Sequence, residues 1–138
     1  MPFAVHEYPF TVLEGHLDSF GHVNNARYLD LLEAARWDLM TGRGWGLKEI
    51  QERNQGPVVL ELTIRFRREL LLRQAAVVRT QTVSVDGKIQ TLKQDIVVPS
   101  TGVTASTALL KIAFFDTAAR KLLEPTQEWL GAIGWTAD

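Results

Sequence analysis

The chain has no cysteine among its 138 residues, which excludes a disulfide framework, a thiolate metal site and a cysteine nucleophile. Neither sign of charge is in excess. Lysine and arginine total 15 against 16 aspartates and glutamates, a formal net charge of -1, so electrostatics offers no case for nucleic acid or an anionic membrane surface as a partner. No apolar run approaches the ~20 residues that a bilayer-spanning helix needs. The first residues also lack the charged-then-apolar order of an export signal. Repeats, low-complexity tracts and linkers are missing too, so a single cytoplasmic domain over residues 1–138 is expected. Apolar residues make up 46% and charged residues 22%, enough for a real core at this length.

What the chain does have is concentrated between His16 and Trp37, HLDSFGHVNNARYLDLLEAARW. Its first half is polar and turn-forming, with His16, Asp18, Ser19, Gly21, His22, Asn24 and Asn25. Its second half has the period of a helix. At ~100° per residue, Tyr28, Leu32, Ala35 and Leu39 share one narrow arc and Arg27, Asp30 and Asp38 lie opposite. Leu29, Leu31, Ala34, Trp37 and Met40 fill most of the remainder, so the helix is expected to be buried around most of its circumference. Glu33 and Arg36 lie beside the apolar arc at a spacing that lets them meet. Either they form an ion pair or Glu33 faces a substrate pocket. Asn24 or Asn25 is expected to cap the helix, and Gly42, Gly44 and Gly46 to end it.

Around this segment the period is two. A first strand is expected over Val5–Leu13, with Tyr8, Phe10 and Val12 on one face and Pro9 favouring a sheet edge or a late strand start. A short helix over Leu47–Arg53 precedes a strand in which Val58, Leu60, Leu62, Ile64 and Phe66 form the buried face. Three more strands follow in an antiparallel meander, Ala75–Val85, Ile89–Val98 and Val103–Phe115, the first two joined by the hairpin signal Asp86-Gly87. A terminal helix carries Trp129 and Leu130. The order implies an α+β layer arrangement, a helix packed on one face of an antiparallel sheet. Val59, Val77, Val83 and Val97 would then lie on an outer face that one helix cannot hide, which argues for a dimer or higher oligomer.

Asp18, the run Gly21-His22-Val23-Asn24-Asn25-Ala26, Tyr28 and the run Glu33-Ala34-Ala35-Arg36-Trp37 resemble the signature of the hotdog-fold acyl-CoA thioesterases. The likeness is to the 4-hydroxybenzoyl-CoA thioesterase superfamily and, within it, the bacterial long-chain acyl-CoA branch. It implies a long central helix wrapped by a five-stranded antiparallel sheet. It also implies dimers joined sheet edge to sheet edge, active sites at the dimer interface, and dimers often paired into tetramers. Residue by residue, it implies that Asp18 is the catalytic carboxylate and that the Asn25 amide polarises the thioester carbonyl. Glu33 would contact the acyl group, and Lys88 would lie near basic residues that hold coenzyme A phosphates.

The chemistry suits those residue types. A thioester carbonyl becomes an oxyanion in the transition state, and the free amides at a helix start are aimed to receive it. A carboxylate just upstream could attack directly or activate water. The expected activity is hydrolysis of a fatty or aromatic acyl-CoA, with no cofactor and no metal, and Phe20, Trp37 and Trp45 would suit such an acyl group. The candidate catalytic residues are Asp18, Asn25 and His22, the last able either to orient water or substrate or to fix the loop. The candidate substrate-binding residues are Asn24, Tyr28, Glu33 and Lys88, although Asn24 also reads as a cap and Tyr28 as a core residue with its hydroxyl paired. His16, Asp18 and His22 match no metal-binding spacing, and Arg65, Arg67 and Arg68 read as a solvated strand face or a phosphate contact. Two rival functions share the same residues: a hydratase or dehydratase on acyl thioesters, and a non-catalytic acyl-CoA binding module.

Overall fold

In the computed structural model, which describes residues 2–136, the sheet is antiparallel throughout and α1 lies across its inner face. The elements are β1 (His6–Thr11), α1 (Asn25–Gly42), α2 (Leu47–Arg53), β2 (Gln55–Phe66), β3 (Ala75–Asp86), β4 (Ile89–Val98), β5 (Val103–Asp116), β6 (Lys121–Leu123) and α3 (Gln127–Ala132). The strand order is β1-β3-β4-β5-β2, with β6 paired to the end of β5. This is the α+β hotdog arrangement. The short β6 is an addition to the expected five strands. Asp116 turns the chain into it by accepting from the Ala118 and Ala119 N–H groups at 2.9 and 2.8 Å. Of the two placements expected for Pro9 the edge is found: it lies in β1, which among the described residues pairs only with β3.

The helical stripe packs as its spacing dictates. Tyr28, Leu32, Ala35 and Leu39 are all buried, and the first three share one cluster with Val78, Leu92, Ile96 and Leu110 of the sheet. The expectation of a helix buried on nearly all sides is corrected, however. Leu29 is 41% exposed and Ala34 and Trp37 are only half-buried, because a single sheet covers a single side of a helix.

The face assignment of β2 also needs correction. A bulge between Val59 and Glu61 inserts Leu60 as an extra residue, which reverses the alternation on either side of it. Leu62 and Ile64 face the core as expected, but Leu60 is 48% exposed, and Val59 turns towards the helix side instead of the outer face. Phe66 is exposed on one side and packs its other edge against Tyr28 at 5.0 Å.

A second cluster closes the other end of the sheet. Trp45, Phe114 and Trp129 pack ring against ring with centroids 4.9–5.8 Å apart, and the Trp45 indole N–H donates to the Gln55 carbonyl. Trp45 is therefore a core residue and not part of an acyl pocket. Replacing fully buried Leu32 with alanine is expected to lower unfolding free energy by about 2–5 kcal/mol. The change Leu29→Ala on the open side should stay within about 0.5 kcal/mol, both read from urea denaturation.

Candidate active site

The loop before α1 is stitched to the chain on both sides. Leu17 and Val23 form an antiparallel bridge, the Asp18 N–H donates to the His22 carbonyl at 3.0 Å, and Gly21 turns the chain at φ +84°. A side chain would be strained at that angle, so glycine is required there. The Val23 N–H then donates to the Leu70 carbonyl and His22 pairs with Leu71, which anchors the loop to the segment entering β3. Val23 and Leu70 are buried beneath it.

This frame sets the two oxygens of Asp18 to different tasks. Oδ1 accepts from the Phe20 N–H at 2.8 Å, an Asx turn that fixes the carboxylate in place. Oδ2 has no hydrogen bond within the described residues and sits 3.8 Å from His22 Nδ1. On the far side of the ring, His22 Nε2 lies 3.9 Å from a carboxylate oxygen of Glu69. Glu69 was invisible in the sequence pattern, since only the pairing of His22 with Leu71 brings it here. Phe20, 83% exposed, stacks over the His22 ring.

Beside the carboxylate stands the start of α1. Asn24 is its N-cap, with the side-chain oxygen accepting from the Ala26 N–H at 2.9 Å, so this residue is engaged as a cap. Asn25 opens the helix, and no acceptor within the described residues takes its N–H. The first turn contains no acidic residue to offset the positive end of an 18-residue helix. An anionic or developing oxyanion group placed there meets a free donor.

Other candidates are placed differently. Tyr28 is buried, its hydroxyl directed to the Arg68 carbonyl at 3.5 Å and its pKa raised by burial, which makes it a packing residue. His16 Nδ1 accepts from the Leu13 N–H. Among the described residues no cluster of three or more His, Cys, Asp or Glu is arranged to hold a metal. Arg65 and Arg67 line a shallow depression on the outer sheet face with Lys93.

Glu33 and Arg36 do not form an ion pair. Arg36 instead donates to the Gln94 side-chain oxygen at 2.9 Å, and Glu33 lines a cavity of ≈130 Å³ between α1, the sheet and α3. Burial pushes the Arg36 pKa down, opposed by the nearby charge of Glu33. Trp37, Met40, Pro57, Val59 and Leu92 are among its walls, so the β2 bulge helps to shape it. The sequence reading missed the polar groups beneath: Thr80, Thr82, Gln90 and Gln94 are all at least 96% buried on the inner faces of β3 and β4. Threonines at two successive inward positions of β3, and glutamines on either side of inward Leu92 on β4, were the available signal.

The sequence candidates thus fall into two groups within one chain. Asp18 and His22 sit in the loop that leads into Asn24 and Asn25 at the helix start, while Glu33 lies two turns further along α1, ~12 Å at the helical rise. None of the four loop residues lines the cavity. Lys88 is exposed at the β3–β4 turn, and the 12-residue β3 separates that turn from the loop anchor, up to ~40 Å along the strand.

A curled antiparallel sheet around one helix, with a carboxylate at the helix start and an apolar cavity beneath the helix, defines a hotdog-fold thioester hydrolase. The chain belongs to the thioesterase-like superfamily, whose family model matches residues 12–133. It is 33% identical to the long-chain acyl-CoA thioesterase FadM of Escherichia coli K12 over 108 residues, 78% of this chain and 81% of that protein. Among solved structures it is similar to YbaW, a probable thioesterase from Escherichia coli. That match has 28% identity and a TM-score of 0.83, covering 96% of this chain and 99% of that one. The protein SAV2348 of Staphylococcus aureus, solved in complex with CoA, shares the fold at 20% identity and a TM-score of 0.86, covering 96% of this chain and 84% of that one.

Substituting Asn24 with alanine removes the cap and is expected to cost about 1 kcal/mol. Asn24→Asp should retain most of that stability, as measured by thermal unfolding.

Proposed function

We propose that the chain hydrolyses an acyl-coenzyme A thioester, with a fatty or aromatic acyl group, to the free acid and coenzyme A. The observation that carries this reading is the division of labour at Asp18. One oxygen is held by the loop amide of Phe20, and the other is left unbonded beside a helix start whose first N–H is also free. In this reading the thioester carbonyl accepts from the Asn25 N–H, and Asp18 Oδ2 either attacks the carbonyl carbon or takes a proton from the attacking water. His22 orients the carboxylate or the water, backed by Glu69. Asn24 holds the helix start in place, and Glu33 meets the acyl group.

Assembly is part of the proposal. The Asp18 loop and the Glu33 cavity are apart in one chain, and β2 is a sheet edge flanked by exposed Val59, Leu60 and Phe66. An open edge of this kind is a template for pairing. Two copies joined along β2 would give a homodimer, and two such dimers a homotetramer, in which one chain's loop can serve its partner's cavity. Lys88 and the Arg65–Arg67 face then become reachable by coenzyme A phosphates from a neighbouring chain. A single domain over residues 1–138 acting in the cytoplasm fits the absence of cysteine and of any helix, among the described residues, long and apolar enough to cross a membrane.

Thiol release from a panel of short, long and aromatic acyl-CoAs tests the activity. Asp18→Asn is expected to lose at least ~100-fold in kcat with the fold intact. An undiminished mutant, or hydration of an enoyl-CoA without thiol release, overturns the assignment. Asn25→Pro is a sharper probe of the oxyanion donor. Proline is tolerated at the first helical position, and Asn24 already has the extended backbone (φ -64°, ψ 142°) that precedes proline. It should remove the N–H, together with a carboxamide that has no hydrogen-bond partner among the described residues, and cost about 10²–10³ in kcat. Sedimentation of wild type and Leu60→Lys tests the edge, the charged variant being expected as an inactive monomer that keeps its circular dichroism.

A further inference from the structure

One polar atom in the cavity beneath α1 lacks the partner that burial demands, and beside it stands a guanidinium with donors to spare. Arg36 is half-buried, and its one hydrogen bond among the described residues goes to the neutral Gln94 amide, with no carboxylate in ion-pair contact. Gln90 is 4% exposed; its Nε2 donates to Thr82 Oγ1 at 2.9 Å, while its Oε1 has no partner. Both residues line the same ≈130 Å³ cavity, whose other walls are mainly apolar.

The neighbouring glutamine is placed differently. Gln94, fully buried two inward positions along β4, donates to the Leu32 carbonyl and to Thr80 Oγ1 and accepts from Arg36. Its polar atoms are satisfied by the protein alone. The Gln90 Oε1 is not, and a buried acceptor without a partner is unfavourable.

We propose that this cavity selects acyl groups carrying a hydroxyl, which accepts from the Arg36 guanidinium and donates to the Gln90 carboxamide oxygen. The inference rests on the thioesterase reading for its substrate but concerns only the acyl end. A plain hydrocarbon fills the apolar walls and leaves the Gln90 oxygen unpaired. A carbonyl can accept from Arg36 but has no proton for Gln90. A carboxylate has no proton to give either, and it would share the cavity with the Glu33 carboxylate. A hydroxyl alone does both tasks without adding charge. The cavity volume suits either a short stretch of hydroxylated chain or a hydroxylated ring.

Calorimetric binding of free acids tests the inference without requiring turnover. Two matched pairs are used: a straight-chain acid with and without a hydroxyl, and an aromatic acid with and without one. Wild type is expected to bind the hydroxylated member of at least one pair about tenfold more tightly, and the pair that responds tells chain from ring. Gln90→Leu should abolish that preference while keeping affinity for the unsubstituted acid, and Gln90→Met, unbranched and of similar length, serves if the first variant does not fold. Equal binding within both pairs, binding of no acid, or a preference that survives both substitutions overturns the proposal. The same pairs as acyl-CoA thioesters separate the two readings. A hydroxyl preference in binding with no thiol release from any thioester rejects the catalytic reading and leaves the cavity assignment standing, whereas thiol release indifferent to the hydroxyl does the reverse.

Discussion

The contact between the Leu32 side of α1 and the inner face of the sheet is the constraint on which the rest of this molecule depends. Tyr28, Leu32 and Ala35 are withdrawn from water against Val78, Leu92, Ile96 and Leu110, and burial of that stripe sets both the position and the rotation of the helix. Once α1 is seated, its N-terminus has one place to be, beside the loop tied down through Val23 and Leu70. Its second half then roofs the space where the cavity forms. The candidate catalytic carboxylate and the candidate acyl pocket are two consequences of a single packing decision.

Polar groups are built into this seam in a way that packing alone does not require. Gln94 reaches across it to the Leu32 carbonyl and to Thr80, and holds Arg36 at the cavity wall. Buried amides of this kind are favourable only when their partners are in place, so they fix one register between helix and sheet where an all-apolar seam would tolerate several. The bulge in β2 acts in a complementary way. By inserting Leu60 it turns Val59 inward at the cavity and leaves apolar side chains along an open edge, which couples the shape of the pocket to the strand best suited to meet another copy.

The loop illustrates how modest the local requirements of such a site are. Its precision comes from backbone pairing: Asp18 to His22, Leu17 to Val23, His22 to Leu71. Against that frame a single Asx turn suffices to hold a carboxylate with one oxygen engaged and one free. The helix start needs nothing further than an asparagine cap and a first turn without acidic residues.

Element order, the amphipathic stripe of α1, the hairpin at Asp86-Gly87 and the edge position of β1 were legible in the sequence, because each follows from periodicity or turn chemistry within a few residues. The asparagine cap was legible too, within the Asn24-Asn25 pair, since capping is local. What the sequence could not convey depends on pairings between distant segments. Glu69 joins the site only through the pairing of His22 with Leu71, Arg36 turns from Glu33 to Gln94 only because β4 runs beneath the helix, and Trp45 belongs to the core only because α3 folds back over it. The reversal of β2 at Leu60 is of the same kind, since a bulge exists only relative to the strand it is paired with. Local chemistry wrote the elements and the carboxylate loop, and the tertiary structure decided which buried polar groups found partners within the chain, because those partners come from segments far apart in sequence.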